Sequence, residues 1–202
     1  EFKFKNIEDL GDLPEFNEPI KKPKETNRIK FVERQRFDTI KEMFDVCTTK
    51  YSNKVAFMEK YNHKEPYTNI SYETYRNDVI NFGTALTEEL NIHKEKVAVI
   101  GENTYQWYVT YMSVICSDSI IVPIDKELLI DDISNFINVS DSKVVLCDEK
   151  FVNLISDNIS KFDNKELLKI NFNSDKDTDS YKSFSNLIKL GNKLIEDGDT
   201  SF

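Results

Sequence analysis

Four sets of side chains in this sequence have types and spacings that chemistry could use. Glu102 and Asn103 follow the apolar run 97–100 (VAVI) and Gly101, where a strand hands over to a helix. Ligands of open α/β sheets bind at the carboxyl ends of strands. Glu102 and Asn103, with Trp107 in the following helix, are therefore the candidate binding residues. The same residues also read as a strand-to-helix turn with its cap, and Trp107, Tyr108 and Tyr111 as a core aromatic cluster. The two histidines, His63 and His93, lie in polar, turn-like stretches separated by a helix. They read as surface residues rather than as a catalytic base or metal ligands. Asp175, Asp177 and Asp179 copy the first three ligands of an EF-hand loop. Ser180 stands where the sharp turn needs Gly, and Asn186 where a bidentate Glu is needed, so the tract reads as a solvated acidic loop. Cys47, Cys116 and Cys147 sit in apolar periodic segments with no metal or redox spacing, as reduced, buried thiols do. No metal site is expected.

A nucleotide's phosphates need closely spaced backbone N–H groups, which only dense small residues allow. Gly11, Gly83, Gly101, Gly191 and Gly198 are isolated, and no phosphate-loop or nucleophile-elbow pattern can be drawn. The chain has 202 residues and a net charge of −9 with scattered basic residues. That balance argues against a nucleic-acid surface and for a soluble domain with a sizeable core. No apolar run is long enough to span a bilayer, and residues 1–10 have no signal-peptide apolar region. A cytoplasmic protein is the expectation.

These residues need elements to hold them. Residues 1–37 read as an N-terminal arm, extended over 1–27, where Gly11, Pro14, Pro19 and Pro23 break any period. Residues 38–202 read as an α/β unit. Ile40, Met43, Phe44, Cys47 and Tyr51 recur at helical spacing with Asp38 as N-cap. Residues 54–59 (KVAFME) form a strand, and 66–70 (PYTNI) its hairpin partner. Ser71 caps a long helix whose apolar stripe is Tyr75, Val79, Phe82, Leu86 and Leu90. Gly83 interrupts that helix at a cost of ~1 kcal/mol, which close packing against a neighbour would offset. Strands at 97–100, 120–122, 143–147 and 167–172 then alternate with helices at 104–116, 131–139, 149–160 and 183–195. Asn103 with Gln106 forms a capping box for the first of these helices. Residues 173–180 form a surface loop. Continuously apolar strands alternating with helices predict a Rossmann-like, mostly parallel sheet with helices on both faces. Residues 97–100, 120–122 and 144–146 are expected to be near neighbours, buried on both sides.

The run 97–107 (VAVIGENTYQW) resembles the "VaiigeNr.eW" segment of the AMP-forming, long-chain acyl-CoA synthetases of the adenylate-forming superfamily. Residues 119–125 (SIIVPID) resemble that family's "g.v.vPld", residues 131–140 its "eEl.yil..s", and residues 183–191 its "sf.dli..G". The order and spacing of these segments cover roughly residues 38–202. Ser117–Ser119 stands where the family often has glycines, and Leu129 where it often has a capping Thr. The resemblance implies the N-terminal region of a fatty-acid–CoA ligase. Such an enzyme uses ATP and Mg²⁺ to form an acyl-adenylate and transfers the acyl group to CoA. It implies that the phosphate loop, ribose-binding Asp and catalytic Lys lie after Phe202. No catalytic or cofactor-binding residue is therefore assigned within the chain, and the chain alone is expected to be inactive. The partners implied are the remaining lobes of the same polypeptide and the fatty acid, ATP and CoA bound there. Self-association of the chain is a further expectation. Two other readings stay open: a stand-alone α/β binding or interaction domain, and a family member that charges a carrier protein or adenylates aryl or amino acids.

Overall fold

A computed structural model describes residues 35–60, 64–199 and 202. The arm reading for residues 1–34 and the turn residue His63 lie outside the described residues. The first helix, α1, spans Ile40–Lys50. Its N-cap is Thr39, whose hydroxyl accepts the Glu42 N–H, while the Glu42 carboxylate accepts the Asp38 N–H. This reciprocal pair places the cap one residue beyond the expected Asp38. Phe44 and Thr48 are buried, whereas Ile40, Met43 and Tyr51 of the expected stripe are exposed.

A hairpin follows, with β1 (Val55–Glu59) antiparallel to β2 (Thr68–Ser71). Phe57 fixes it to the body by packing edge-on against Tyr75 at 4.9 Å and Tyr105 at 5.4 Å between ring centres. Ser71 caps α2 (Tyr72–Thr84) by accepting the Thr74 N–H at 3.0 Å, as its place in the sequence predicts. The helix then widens into a π-turn over Ala85–Glu89. Gly83 does pack closely: a Cβ there would overlap the Phe202 ring.

The remaining strands are β3 (Lys96–Ile100), β4 (Ile120–Pro123), β5 (Val144–Cys147), β6 (Leu168–Asn171) and β7 (Lys182–Ser183). They pair in the order β4-β3-β5-β6-β7, every pair parallel. Helices α3 (Tyr105–Cys116), α4 (Ile130–Ser140), α5 (Glu149–Asp157) and α6 (Phe184–Glu196) alternate with them. This is the α/β architecture predicted, with helices on both faces. Val97, Val99, Val144, Leu146 and Ile170 face a core shared with α1, α2, α3 and α6. Ala98, Ile100, Val145 and Cys147 face the other way, onto Ile133 and Ile137 of α4 and Phe151, Val152 and Ile155 of α5.

One strand expectation needs correction, and one strand was not foreseen. β4 is an edge strand among the described residues, so Ile120 is 55% exposed rather than buried on both faces. β7 has only two residues, too short to show any period in the sequence. It runs directly into α6, where Ser183 caps by accepting the Asn186 N–H. α6 crosses α2 so tightly that a Cβ on Gly191 would overlap the Asn81 carbonyl oxygen.

Two substitutions test this packing. Val99 has no exposed surface at the centre of β3, so Val99→Asp buries an uncompensated carboxylate. It is expected to cost at least about 4 kcal/mol and to abolish the cooperative melt in calorimetry. Gly191→Ala forces two helix backbones apart and is expected to cost about 1–3 kcal/mol in denaturant unfolding.

Candidate functional site

The strand order places a topological switch point between β3 and β5, whose connections leave the sheet in opposite directions. In open α/β sheets this is where a ligand-binding crevice forms, outside the carboxyl ends of the strands. Glu102 and Asn103 follow β3 there, and Asp148 follows β5. Asp148 holds the N-cap position of α5, yet its side chain makes no cap bond to that helix. Its carboxylate instead reaches across and accepts the Glu102 N–H at 2.9 Å. The group is 8% exposed. Gly101 permits the approach, since a Cβ there would stand 2.8 Å from Asp148 Oδ2. The backbone donor that an anionic ligand would take at this crevice is thus held by a carboxylate of the chain itself, and like charge opposes a phosphate beside it.

The Glu102 side chain points to solvent and pairs with Lys126, which follows β4. Lys150, in the first turn of α5, stands 3.9 Å from its other oxygen. The hydrogen bond from Lys126 holds the Glu102 carboxyl below the usual carboxylate range, and the same bond raises the Lys126 ammonium. The carboxyl ends of β3, β4 and β5 are tied together by these contacts. Asn103 is exposed. Trp107 is half-buried, stacked on Tyr111 at 5.1 Å and edge-on to Tyr108 at 5.4 Å. Glu102 and Asn103 thus share a turn, while Trp107 belongs to the aromatic cluster on α3.

The expected capping box at Asn103 is not what starts α3. Its N-cap is Thr104, which makes no side-chain cap bond. The cap comes from β1, where Glu59 Oε1 accepts the Tyr105 N–H at 2.7 Å. Tyr105 then donates its hydroxyl to Asp78 Oδ2 at 2.7 Å. Burial raises the Asp78 carboxyl, and the Tyr105 hydrogen bond partly offsets that rise. A carboxylate at the first turn also suits the helix dipole. Glu59, Asp78 and Asp148 escaped the sequence reading. Asp148 carries a faint signal, an acidic residue directly after a buried strand. Glu59 carries none, because it acts 46 residues away.

The other candidates are placed plainly. His93 is exposed. Asp177 Oδ1 accepts the Ser183 N–H at 2.8 Å and the Asn186 side chain at 3.2 Å. Asp175 Oδ1 accepts the Ser185 hydroxyl at 3.3 Å, so the acidic tract folds onto the start of α6. Among the described residues no group of three His, Cys, Asp or Glu stands close enough to share a metal ion. Cys116 and Cys147 are buried and Cys47 half-buried, all as free thiols. Burial pushes the Cys116 thiol up to about 11 and raises Cys147 as well. Among the described residues no helix is long and apolar enough to cross a membrane.

Asp148→Ala leaves the Glu102 N–H without its partner. It is expected to lower stability by about 1–3 kcal/mol in denaturant unfolding, with Asp148→Asn recovering part of the loss because an acceptor remains.

The sequence profile of the AMP-binding enzyme family matches residues 44–191. Comparison with curated proteins gives no match. Among solved structures, a protein assigned as a long-chain-fatty-acid CoA ligase from Rhodopseudomonas palustris superposes with a TM-score of 0.61 at 15% identity, over 74% of this chain and 36% of that one. An anthranilate CoA ligase in complex with anthranoyl-AMP gives 0.63 at 15% identity, over 78% and 29%. The adenylation domain of a carboxylate reductase from Mycobacterium chelonae gives 0.66 at 11% identity, over 79% and 30%. The chain thus spans about a third of the length of the structures it matches, and these likenesses bear on its fold. The family match covers most of the chain, and the sheet order and helix layers agree with it: the chain belongs to the AMP-binding enzyme family.

Proposed function

We propose that this chain is the N-terminal scaffold of an acid–thiol ligase of the fatty-acid–CoA ligase type. The whole enzyme would join a carboxylic acid to ATP, giving an acyl-adenylate and pyrophosphate. Attack by the CoA thiol would then displace AMP and leave the acyl thioester. The observation that carries this reading is the family match over residues 44–191. The fatty-acyl assignment rests on the likeness of residues 97–107 and 119–125 to the long-chain branch. Superposition on an anthranilate ligase and on a carboxylate reductase adenylation domain keeps aryl and other acids within the same scheme.

The residues present here do not fit a nucleotide. The Glu102 N–H is occupied by Asp148, and Glu102 itself is held by Lys126. No other small residue stands beside Gly101 to bring further donors close. We assign no residue of this chain to ATP, Mg²⁺ or CoA, and no chemical step passes through it. Its part is to present a fixed sheet edge and helix layers against which the adenylating lobe is held. Binding energy from a well-placed scaffold serves the reaction by orienting groups borne elsewhere.

Acid-dependent ATP–pyrophosphate exchange tests this. The full-length protein carrying this chain is expected to exchange with long-chain acids above short or aromatic ones, and the 202-residue chain alone to match a blank. Exchange by the isolated chain, or none by the full-length protein with any acid, would refute the proposal.

A further inference from the structure

A second region stands at the opposite end of the sheet, where α3 turns into β4. A cavity of about 240 Å³ opens there between α1, the π-turn and the α3–β4 turn. At about 30 Å³ per molecule, it would hold roughly eight waters, and it falls just below the ~300 Å³ at which drug-sized pockets begin. A one-ring or short-chain ligand is the size it admits.

The polar groups of its wall divide into two sets. The Thr87 hydroxyl is spent on the Gly83 and Thr84 carbonyls, both at 3.1 Å. The Ser117 hydroxyl donates to the Val114 carbonyl at 2.8 Å and accepts the Ser119 N–H at 3.1 Å. Asp118 Oδ1 accepts the Lys94 N–H at 3.1 Å. Lys41 and His93 form the other set, with no hydrogen bond or ion pair to any described residue. The Lys41 ammonium lies 4.8 Å from the centre of the Phe202 ring, and beside it Cys116 completes an apolar wall. What remains without a hydrogen bond in this cavity is the Lys41 ammonium, the His93 imidazole and the second Asp118 oxygen, next to a flat apolar surface. An anion would meet the Lys41 ammonium, whose one contact is the face of the Phe202 ring, and the His93 imidazole, and an apolar body would meet the ring and the thiol.

We infer that this cavity binds a small monocarboxylate, its head group held by Lys41 and His93 and its body set against Phe202 and Cys116. The inference is independent of the acid activation proposed above, because the cavity lies at the amino end of the strands, away from Glu102. Asp118 lines the same space with a like charge, which limits affinity and gives the test a sign.

Titration of the 202-residue chain with benzoate, followed by amide chemical shifts, reads the site directly. Saturable shifts are expected at His93, Ser117, Asp118 and Ser119. The double variant Lys41→Met, His93→Gln should weaken binding by about tenfold or more with an unchanged melting temperature. Asp118→Asn keeps an acceptor for the Lys94 N–H while removing the repelling charge, so it should bind benzoate more tightly than the parent chain. Three outcomes would overturn the inference: no saturable shift at these amides in millimolar benzoate, parental affinity in the double variant, or weaker binding in Asp118→Asn. Inorganic phosphate serves as a second probe, and equal binding of it would overturn the carboxylate assignment, since phosphate has no apolar body.

Discussion

Two neighbouring strands are closed to water along almost their whole length. Val97, Ala98, Val99 and Ile100 of β3 and all four residues of β5 have no exposed surface. Every N–H and C=O they carry must be paired inside the protein, and the parallel ladders of β3 with β4 and β5, and of β5 with β6, do that. Parallel pairing in turn demands crossovers, and a helix is the crossover that satisfies its own backbone. Because side chains alternate across the sheet, both faces carry apolar groups and both must be covered. The helix layers, the tight α2–α6 crossing and the placement of the loops all descend from that requirement.

The two faces are covered differently. One carries α4 and α5 directly on Ala98, Ile100, Val145 and Cys147. The other carries α2 with α3 and α6 on either side, with α1 and the hairpin attached through Phe44 and Phe57. Gly191 and Gly83 sit where that thicker layer is most crowded. At the carboxyl edge the strand ends are joined by charge and hydrogen bonds rather than by apolar contact, through Glu102, Lys126, Lys150 and Asp148. Exposed pairs of this kind contribute little to stability. The buried Asp148–Glu102 bond contributes more, and it takes up the Glu102 N–H at the crevice.

Much of this was legible in the sequence. The runs at 97–100 and 144–147 are apolar throughout, which separates buried parallel strands from alternating surface ones. The Ser71 cap was visible because it acts three residues away, within one turn; Ser183, read as the first residue of its helix, caps it in the same way. The α3 cap was not, because Glu59 supplies it from another element, and Asn103 offered a local decoy. β4 misled for a related reason. Its residues Ile120, Ile121 and Val122 look like those of a central strand, but apolar composition does not say whether a strand lies at an edge. Of the candidate site residues, position at a strand end was readable, whereas the Asp148 carboxylate beside Glu102 is a tertiary contact that no spacing encodes.

Amide hydrogen exchange on the 202-residue chain tests the central constraint most directly. If β3 and β5 are the closed pair on which the rest is built, the amides of Val99, Val145 and Leu146 should exchange only through global unfolding. The Glu102 amide, bonded to Asp148, should be protected well above its exposed neighbour Asn103, and the β1–β2 hairpin should open at lower cost. Exchange of Val99 and Val145 as fast as that of the hairpin amides would contradict the account, because the sheet would then not be the element that holds the chain together.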